Sequence, residues 1–481
     1  MKQSILKLEE NCWRIKEVDH LAILFDGHNY YQAFFDVAKQ AKHSILIAGW
    51  EVDARMGLGR VGRGYPDNLR DYFNELAKKR KKLQIRILSW KPAFFLAFGR
   101  ERFTRSKWNL KTISRITYSN DKLPYMFSSF HEKMILIDNC CAFLGGMDLS
   151  KKRWDTCDHD PVSNLRIDGL GKPYQPVHDI QFVMTGEIIA SLRELVEKRI
   201  KSSSGLKAEK LSDIWPTTHS PQMRKTSLAI SRTDPFDNIY EIEKLYKDAI
   251  QSAKNLVFIE NQYLTHQEIL GPLCGKLSDP HGPEVIIILP FSYQGTFERA
   301  IYVAGRNKIL KKLKAADKYH RLGVYYPGIP NKNPLHFIKV HSKLMIVDDN
   351  FLTLGSANLN YRSMLVDSEI NLSLEAKGEM ETREFITQNV NHLLAEHLHI
   401  DPSELRDKYH KFGKWIPAIN NFKGKNVKTL KDLPIKDLTT MEKLASLITP
   451  FVDIKYAVPK WILLLPIIPL LFWALYEYSK I

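Results

Sequence analysis

An α/β fold made of two similar halves is predicted by three observations: a chain too long for one core, a helix-then-strand pattern that occurs twice, and a polar triplet that recurs 210 residues downstream. The chain has 481 residues, and single cores give way to separate domains beyond roughly 250–300 residues, so two globular units are expected. Hydrophobic residues at 44% and charged residues at 26% exclude a disordered or fibrous chain. A net charge of +16 suits a polyanionic partner, either nucleic acid or the anionic face of a membrane.

The N-terminus, MKQSILKLEENCWRIKEVDH, is broken by Glu9, Glu10 and Arg14 before an apolar core develops, which argues against a secretory signal. Cys12, Cys140, Cys141, Cys157 and Cys274 show no CxxC or Cys/His zinc spacing, and a reduced compartment is expected. Next comes an amphipathic helical pattern, NYYQAFFDVAKQAK, and then a buried-strand pattern, HSILIAGWEVD (His43–Asp53). The same order returns as NIYEIEKLYKDAIQSAK and KNLVFIENQYL (Lys254–Leu264). With Ile45 set against Leu256, the spacing from strand to histidine is 86 residues in one half and 85 in the other.

The triplets themselves are His131, Lys133 and Asp138 in FHEKMILIDNCCAFLGGMD, and His341, Lys343 and Asp348 in VHSKLMIVDDNFLTLGSAN. The pairing continues through Gly145 with Gly355, Gly146 with Ser356 and Asp148 with Asn358. A later strand in each half opens near a carboxylate, Asp179 in HDIQFVM and Glu369 in SEINLSL. From histidine to carboxylate the spacing is 48 residues in the first half and 28 in the second, so KKRWDTCDHDPVSNLRIDGLGKPYQPV holds an insertion of loop-like composition.

On a strand, residues two apart share a face, so each triplet offers an imidazole beside an ammonium. Two imidazoles can divide a phosphodiester cleavage, one attacking phosphorus and the other protonating the departing oxygen and then activating the incoming hydroxyl. Two lysines would neutralise the non-bridging oxygens, and small residues after the strand would let backbone amides approach a phosphate. The scheme calls for no metal and no cofactor.

These stretches resemble the two HxKxxxxD motifs of the phospholipase D superfamily, and the resemblance covers about residues 15–400. GGMDLSKKRWDT (Gly145–Thr156), IENQYL (Ile259–Leu264) and GSANLNYRSMLVDSE (Gly355–Glu369) are similar to the phospholipid-cleaving branch of eukaryotic-type and many bacterial members. The resemblance implies phospholipase D-like domains at residues 12–205 and 225–400, with mixed sheets flanked by helices and a pseudo-two-fold axis through one shared active site. It implies a catalytic set of His131, Lys133, Asp138, His341, Lys343, Asp348, Asp179 and Glu369. Within that set His131 would be the nucleophile and His341 the acid and base. Asp179 and Glu369 would orient the imidazoles, while Asp138 and Asp348 would brace strands.

Gly145, Gly146, Ser356 and Asn358 match the family's phosphate site, whereas Asp148 departs from its Gly-Ser/Gly-x-Asn pattern. Trp50 and Asn261, at the ends of the paired strands, are expected to line the cleft. The implied activity is hydrolysis or transphosphatidylation of glycerophospholipids through a phosphohistidine, releasing phosphatidic acid. A cardiolipin synthase-like phosphatidyl transfer differs only in the alcohol accepted. A nuclease is the polyanion alternative, and a binding protein without catalysis is disfavoured because both triplets are complete.

Outside the motifs, KKRKK (Lys78–Lys82) is expected to be a solvated helix end. WKPAFFLAFGRERF (Trp90–Phe103) suits a helix on the sheet, with an acyl-chain lip as the functional alternative. Residues 401–455 are basic and poor in apolar pattern, which predicts a wrap or linker. Tyr456–Tyr476 is apolar apart from Lys460 and as a helix would reach about 31 Å, close to a bilayer's hydrocarbon thickness. Trp461, Trp473 and Tyr476 stand near its ends, and Pro466 and Pro469 would kink it. Residues 456–481 are therefore expected to anchor the protein to a membrane, with Lys455 and Lys460 favouring cytoplasmic catalytic domains. The expected partners are a phospholipid substrate and a membrane, with no specific nucleic acid; oligomeric state has no signature in the sequence.

Overall fold

The computed structural model describes residues 4–58, 66–90, 111–121, 128–168, 171–200, 214–293, 296–329 and 337–435, together with Trp108, Lys443 and Asp453. The first half runs β1 (Arg14–Phe25), α1 (Asp26–Ala38), β2 (Ser44–Gly49), α2 (Leu69–Lys79), β3 (Gln84–Trp90), β4 (Ile116–Asp121), β5 (Met134–Ile137), β6 (Cys141–Gly145), β7 (Val177–His178), β8 (Ile180–Thr185) and α3 (Ile188–Ile200). The second runs β9 (Met223–Asp234), β10 (Ile239–Tyr240), α4 (Glu241–Ser252), β11 (Leu256–Asn261), α5 (Gln267–Ser278), β12 (Glu284–Ile288), α6 (Thr296–Ala316), β13 (Leu322–Gly328), β14 (Lys339–Val340), β15 (Lys343–Val347), β16 (Phe351–Gly355), α7 (Tyr361–Leu365), β17 (Glu369–Glu375) and α8 (Met380–Leu398).

Where separate sheets were expected, sixteen of the described strands form one mixed sheet, and β7 and β14 form a small parallel pair of their own. The reason lies in β1 and β9, two 12-residue strands whose edges would otherwise present unpaired amides and carbonyls. They pair antiparallel, with Ile15 opposite Ala229 and Lys16 opposite Leu228. Outward from this seam lie β8, β6, β5, β2, β3 and β4 on one side and β17, β16, β15, β11, β12 and β13 on the other. In each half the outermost of these pairings, β2–β3–β4 and β11–β12–β13, are parallel. The pairings nearer the seam are antiparallel.

Side-chain alternation then sorts the cores. After Ser44, β2 is apolar because it is buried on both faces; Ile45 and Ile47 enter one core and Leu46 and Ala48 another. β11 does the same with Val257 and Ile259 against Phe258. One face of the sheet shares a single core across both halves, filled by Ile188 and Leu192 of α3 and by Ile386, Val390 and Leu394 of α8. The other face carries two separate cores, one under α1 and α2 and one under α4 and α5. α2 begins on Asn68, whose side chain accepts from the Asp71 amide at 3.0 Å, a strong N-cap.

Residues 402–432, expected to be a wrap, instead form α9 (Pro402–Phe412), α10 (Trp415–Phe422) and β18 (Thr429–Asp432). β18 extends the sheet by pairing antiparallel with β13. The sequence does carry the signals: Asp401 caps α9 by accepting from the Ser403 amide at 2.7 Å, and Gly413 ends it in the left-handed region at φ 65°. Their apolar content is small but buried, with Ile419 and Leu430 fully enclosed. Lys78, Lys79, Lys81 and Lys82 are exposed at the end of α2. No described helix is long and apolar enough to cross a membrane. The apolar segment at 456–476 and the aromatic stretch at 91–103 lie outside the described residues.

The motif aspartates do structural work in both halves. Asp138 accepts from the amides of His43 and Ser44, each at 2.7 Å. Asp348 likewise accepts from Asn255 at 2.7 Å and Leu256 at 2.9 Å. Each carboxylate ties the turn after a motif strand to the start of the neighbouring β2 or β11. Asp138→Ala and Asp348→Ala, which strand these amides, are each expected to lower unfolding free energy by about 2–3 kcal/mol, measured from urea unfolding midpoints.

Candidate active site

Each histidine segment is laid against the chain that leads into the other half's carboxylate strand. β14, just before His341, pairs in parallel with β7, just before Asp179, and the His341 amide donates to the His178 carbonyl at 2.8 Å. Phe130 bridges Ser368 in the same way, and the His131 amide donates to the Ser368 carbonyl at 3.0 Å. The carboxylates therefore serve crosswise. His131 Nδ1 lies 3.0 Å from Glu369 Oε2 and 3.1 Å from the Ser356 carbonyl, and His341 Nδ1 lies 2.6 Å from Asp179 Oδ2.

Donation through Nδ1 leaves Nε2 of each ring for chemistry. Both rings border one cavity of about 320 Å³, together with Lys133, Arg153, Lys339 and Asn358. His131 Nε2 makes no hydrogen bond among the described residues, whereas His341 Nε2 lies 3.3 Å from Arg153 Nη2. Trp50 also borders the cavity; its ring stacks on Trp90 at 5.7 Å and meets His131 edge-on at 6.1 Å.

Burial and neighbouring cations tune these groups. His131 is held well below the usual imidazole range by burial and by Lys133 and Lys343. His341 is held there by burial, Lys343 and Arg153. Both rings are thus neutral at pH 7. Burial brings the Lys343 ammonium down to about 7 and pushes the Glu369 carboxyl up to about 7 against the pull of Lys133. The lysines differ from the expected side-by-side display: β5 begins only at Met134, and each Nζ donates back to its own histidine's carbonyl, at 2.8 Å for Lys133.

Several expected phosphate ligands have other tasks. The amides of Gly146 and Ser356 donate to the carbonyls of Ile180 and Ile370 at 3.2 and 3.0 Å, and the Gly145 amide faces the Lys133 carbonyl at 3.4 Å. None is left for a phosphate. The Ser356 hydroxyl donates to Glu369 Oε2 and so braces the carboxylate that holds His131. A Cβ at Gly146 would lie 2.1 Å from Asp179 Oδ1; the bare glycine leaves room for the Asp179 carboxylate where the second half carries Ser356 beside the longer Glu369. At Gly145 a Cβ would meet the Ile180 carbonyl at 2.6 Å. Asn261 is buried away from the cavity, where its Oδ1 accepts from the amides of Tyr263 and Leu359, both at 3.1 Å. Its neighbours Gln262 and Tyr263 border the cavity instead.

Asp148 and Asn358, by contrast, both reach the cavity wall. Asp148 accepts from the Trp50 amide at 2.9 Å and lies 3.6 Å from Lys133 Nζ, which occupies it with its own half. Asn358 Oδ1 is buried without a hydrogen bond. Asp138 and Asp348, in turns remote from the cavity lining, cannot touch a substrate there. Sequence reasoning passed over Arg153 and Lys339. Lys339 was within reach, because Lys339, His341 and Lys343 follow a period of two, whereas the first half has Ser129 at the matching position.

The Glu369 shift makes a stability prediction. Its folded pKa of about 7 exceeds the ordinary value of 4.5, so the folded chain holds this proton more tightly and stability falls as pH rises through that window. Glu369→Gln removes the effect. Between pH 4.5 and pH 8 the variant should gain up to about 3 kcal/mol relative to wild type, read from urea midpoints across that range.

Comparison with known proteins places the chain among relatives. A family model described as cardiolipin synthase, PLD-like domain, matches residues 246–393. Phospholipase D A of Dictyostelium discoideum is 24% identical over an alignment covering 77% of this chain and 34% of that protein. Phospholipase D alpha 3 of Arabidopsis thaliana is 24% identical, covering 71% of this chain and 58% of its own length. The chain thus spans between a third and three fifths of these curated relatives. The crystal structure of phosphatidylserine synthase from Haemophilus influenzae superposes with a TM-score of 0.52 at 14% identity, covering 78% of this chain and 87% of that one, and so shares the fold. The family model falls on the second half, and the alignments to the phospholipase D relatives take in about three quarters of the chain, so the chain is similar to the phospholipase D superfamily over most of its length.

Proposed function

We propose that the protein cleaves glycerophospholipid phosphodiesters and passes the phosphatidyl group to water or another alcohol through a phosphohistidine. The observation that carries this reading is a pair of neutral imidazoles, each fixed through Nδ1 by a carboxylate of the opposite half, that open onto one cationic cavity. Relatives named as phospholipases D and the match to a family model named for cardiolipin synthase support the lipid substrate class.

In this reading the two imidazoles take distinct parts, which their different surroundings support. His131 Nε2 carries an unengaged lone pair and attacks phosphorus, forming a P–N bond as the P–O bond to the head group breaks. His341 supplies the proton to the departing oxygen. Burial, Lys343 and Arg153 hold its pKa low, and an entering phosphodiester anion opposes the effect of those cations and favours the imidazolium. Arg153 is suited to leave His341 Nε2 for a non-bridging oxygen as the substrate seats, since guanidinium binds phosphate bidentately. In the second half-reaction neutral His341 deprotonates the acceptor hydroxyl, the new P–O bond forms and the P–N bond breaks. Lys133 and Lys343 offset the charge on the non-bridging oxygens throughout.

Purified protein is incubated with labelled phosphatidylcholine, phosphatidylethanolamine and phosphatidylglycerol, with and without a primary alcohol. Phosphatidic acid marks hydrolysis, and a phosphatidyl-alcohol or cardiolipin marks transfer; activity confined to single-stranded DNA overturns the lipid reading. His341→Ala should lower turnover about 10²–10⁴-fold while still forming phosphoenzyme from a substrate with an activated leaving group. His131→Asn should form none, and the reverse pattern would exchange the roles.

The enzyme works at a bilayer, held there by residues 456–481, which are uninterruptedly apolar from Trp461 to Tyr476. Asp453 accepts from the Arg362 amide at 3.1 Å and from the Thr265 hydroxyl, so a truncation that spares the fold is made after Lys455. The shortened chain should move to the soluble fraction and lose activity on vesicles while keeping it on a short-chain monomeric phosphodiester. If it still sediments with membranes at high salt, another surface is the anchor.

A further inference from the structure

Behind the His341–Asp179 pair lies a second group of ionisable side chains that the cleavage scheme does not use. Asp26, His159, His178 and Glu396 are all buried, and one potential ligand atom from each lies within 4.8 Å of all the others. The four come from distant parts of the chain: the junction of β1 and α1, the insertion, β7, and the last turn of α8 in the other half.

The hydrogen bonds around the two rings are those of metal-bound imidazoles. His159 Nδ1 lies 3.0 Å from Asp155 Oδ2, and His178 Nε2 lies 3.1 Å from Glu260 Oε2. Each ring thus gives one N–H to an outer carboxylate and turns its other nitrogen inward, the arrangement that orients histidine ligands. The outer carboxylates are held in turn, Asp155 by Arg166 at 2.9 Å and Glu260 by the Ser342 hydroxyl at 2.9 Å.

The inner atoms have the spacing of a coordination shell. Glu396 Oε1 is 2.9 Å from His178 Nδ1 and 3.2 Å from His159 Nε2. Asp26 is 3.2 Å from His178 Nδ1 through Oδ1 and 3.5 Å from His159 Nε2 through Oδ2. Tetrahedral ligands at bond lengths of about 2.0–2.1 Å stand roughly 3.3 Å apart. Among the described residues, Asp26 Oδ2 and Glu396 Oε2 are moreover buried without a well-formed hydrogen bond, and His178 Nδ1 meets only the Asp26 and Glu396 oxygens, a costly state for polar atoms unless something else binds them. The charge agrees as well. Asp26, Asp155, Glu260 and Glu396 face two buried or part-buried fixed cations, Arg166 and Lys428. Two negative charges are left over.

We propose that Asp26, His159, His178 and Glu396 form a buried structural site for a divalent transition-metal ion of the zinc class. Two imidazoles and two carboxylates suit that class, and the ion would balance the surplus charge that two imidazolium protons would otherwise balance. It would tie α8 of the second half to the first half. It would also stiffen the active site, because Asp26 Oδ1 accepts the Asp179 amide at 3.1 Å, one residue from the carboxylate that holds His341.

The full-length protein, purified without chelators or metal-affinity steps, is assayed for metals by mass spectrometry, stripped, and titrated with Zn²⁺ and with Co²⁺. The expected result is uptake of about one equivalent per chain, visible d–d absorption from tetrahedral Co²⁺, and a thermal midpoint about 5 °C or more lower in the stripped protein. Glu396→Gln and His159→Ala should lose uptake, and His131→Asn should keep it. Because either cluster variant could misfold, an X-ray absorption spectrum of loaded wild type serves as the second measurement, and it should report two imidazoles and no sulfur. Less than about 0.1 equivalent bound at micromolar metal would overturn the site and leave the imidazolium protons as the balancing charge. Retained uptake in both cluster variants would overturn it equally.

Discussion

The crossed contacts between imidazole and carboxylate are the constraint on which the rest of the structure turns. Glu369 holds His131 and Asp179 holds His341, so neither half contains a complete imidazole–carboxylate pair. Much of the architecture reads as support for keeping these two distances. The short β7–β14 ladder and the bridge between Phe130 and Ser368 bring each histidine to the opposite carboxylate. The shared core under α3 and α8 fixes the halves against each other. Gly146 and Ser356, at matching positions, solve the same problem in two ways, one by leaving space for a carboxylate and the other by donating to it.

The two rings are not equivalent, although their sequence motifs nearly are. His341 faces Arg153 and has Lys339 two residues before it, whereas His131 faces Trp50 and has Ser129 at the position matching Lys339. One side of the cavity is therefore more cationic and the other more aromatic. A symmetric pair of motifs thus sits in an asymmetric field, and that field, more than the identity of the residues, makes the surroundings of the two imidazoles different.

The legible part of this protein in its sequence was what repeats. The duplicated helix, strand and triplet gave the α/β class and the residues at the cavity, because a polar pair flanked by buried strand survives comparison with its own copy. What could not be read was what joins the copies. Periodicity says that Asp179 and Glu369 open strands, but not that each serves the other half, since this depends on the β1–β9 seam pairing segments about 210 residues apart. Ser356 matched a phosphate ligand by position and proves to be spoken for by a neighbouring carboxylate, a contact that only the folded backbone creates. Asn261 failed for a related reason: the strand end it occupies turns inward, and Gln262 and Tyr263 take the cavity wall. The region after residue 401 was dismissed for its sparse apolar residues, although a strand at the sheet's edge needs only one buried side, which Leu430 supplies.

The seam also has a bearing on how the chain comes to be folded. β1 leaves the ribosome some 200 residues ahead of its partner β9. Until then β1 can pair with β8 alone, and one long edge of a nearly finished half-sheet stands open to solvent and to other nascent chains. Contacts of such high sequence separation close slowly. The N-terminal half is therefore a sticky intermediate by construction, and a cell making this protein must either shield that edge or translate through the second half quickly enough to cover it.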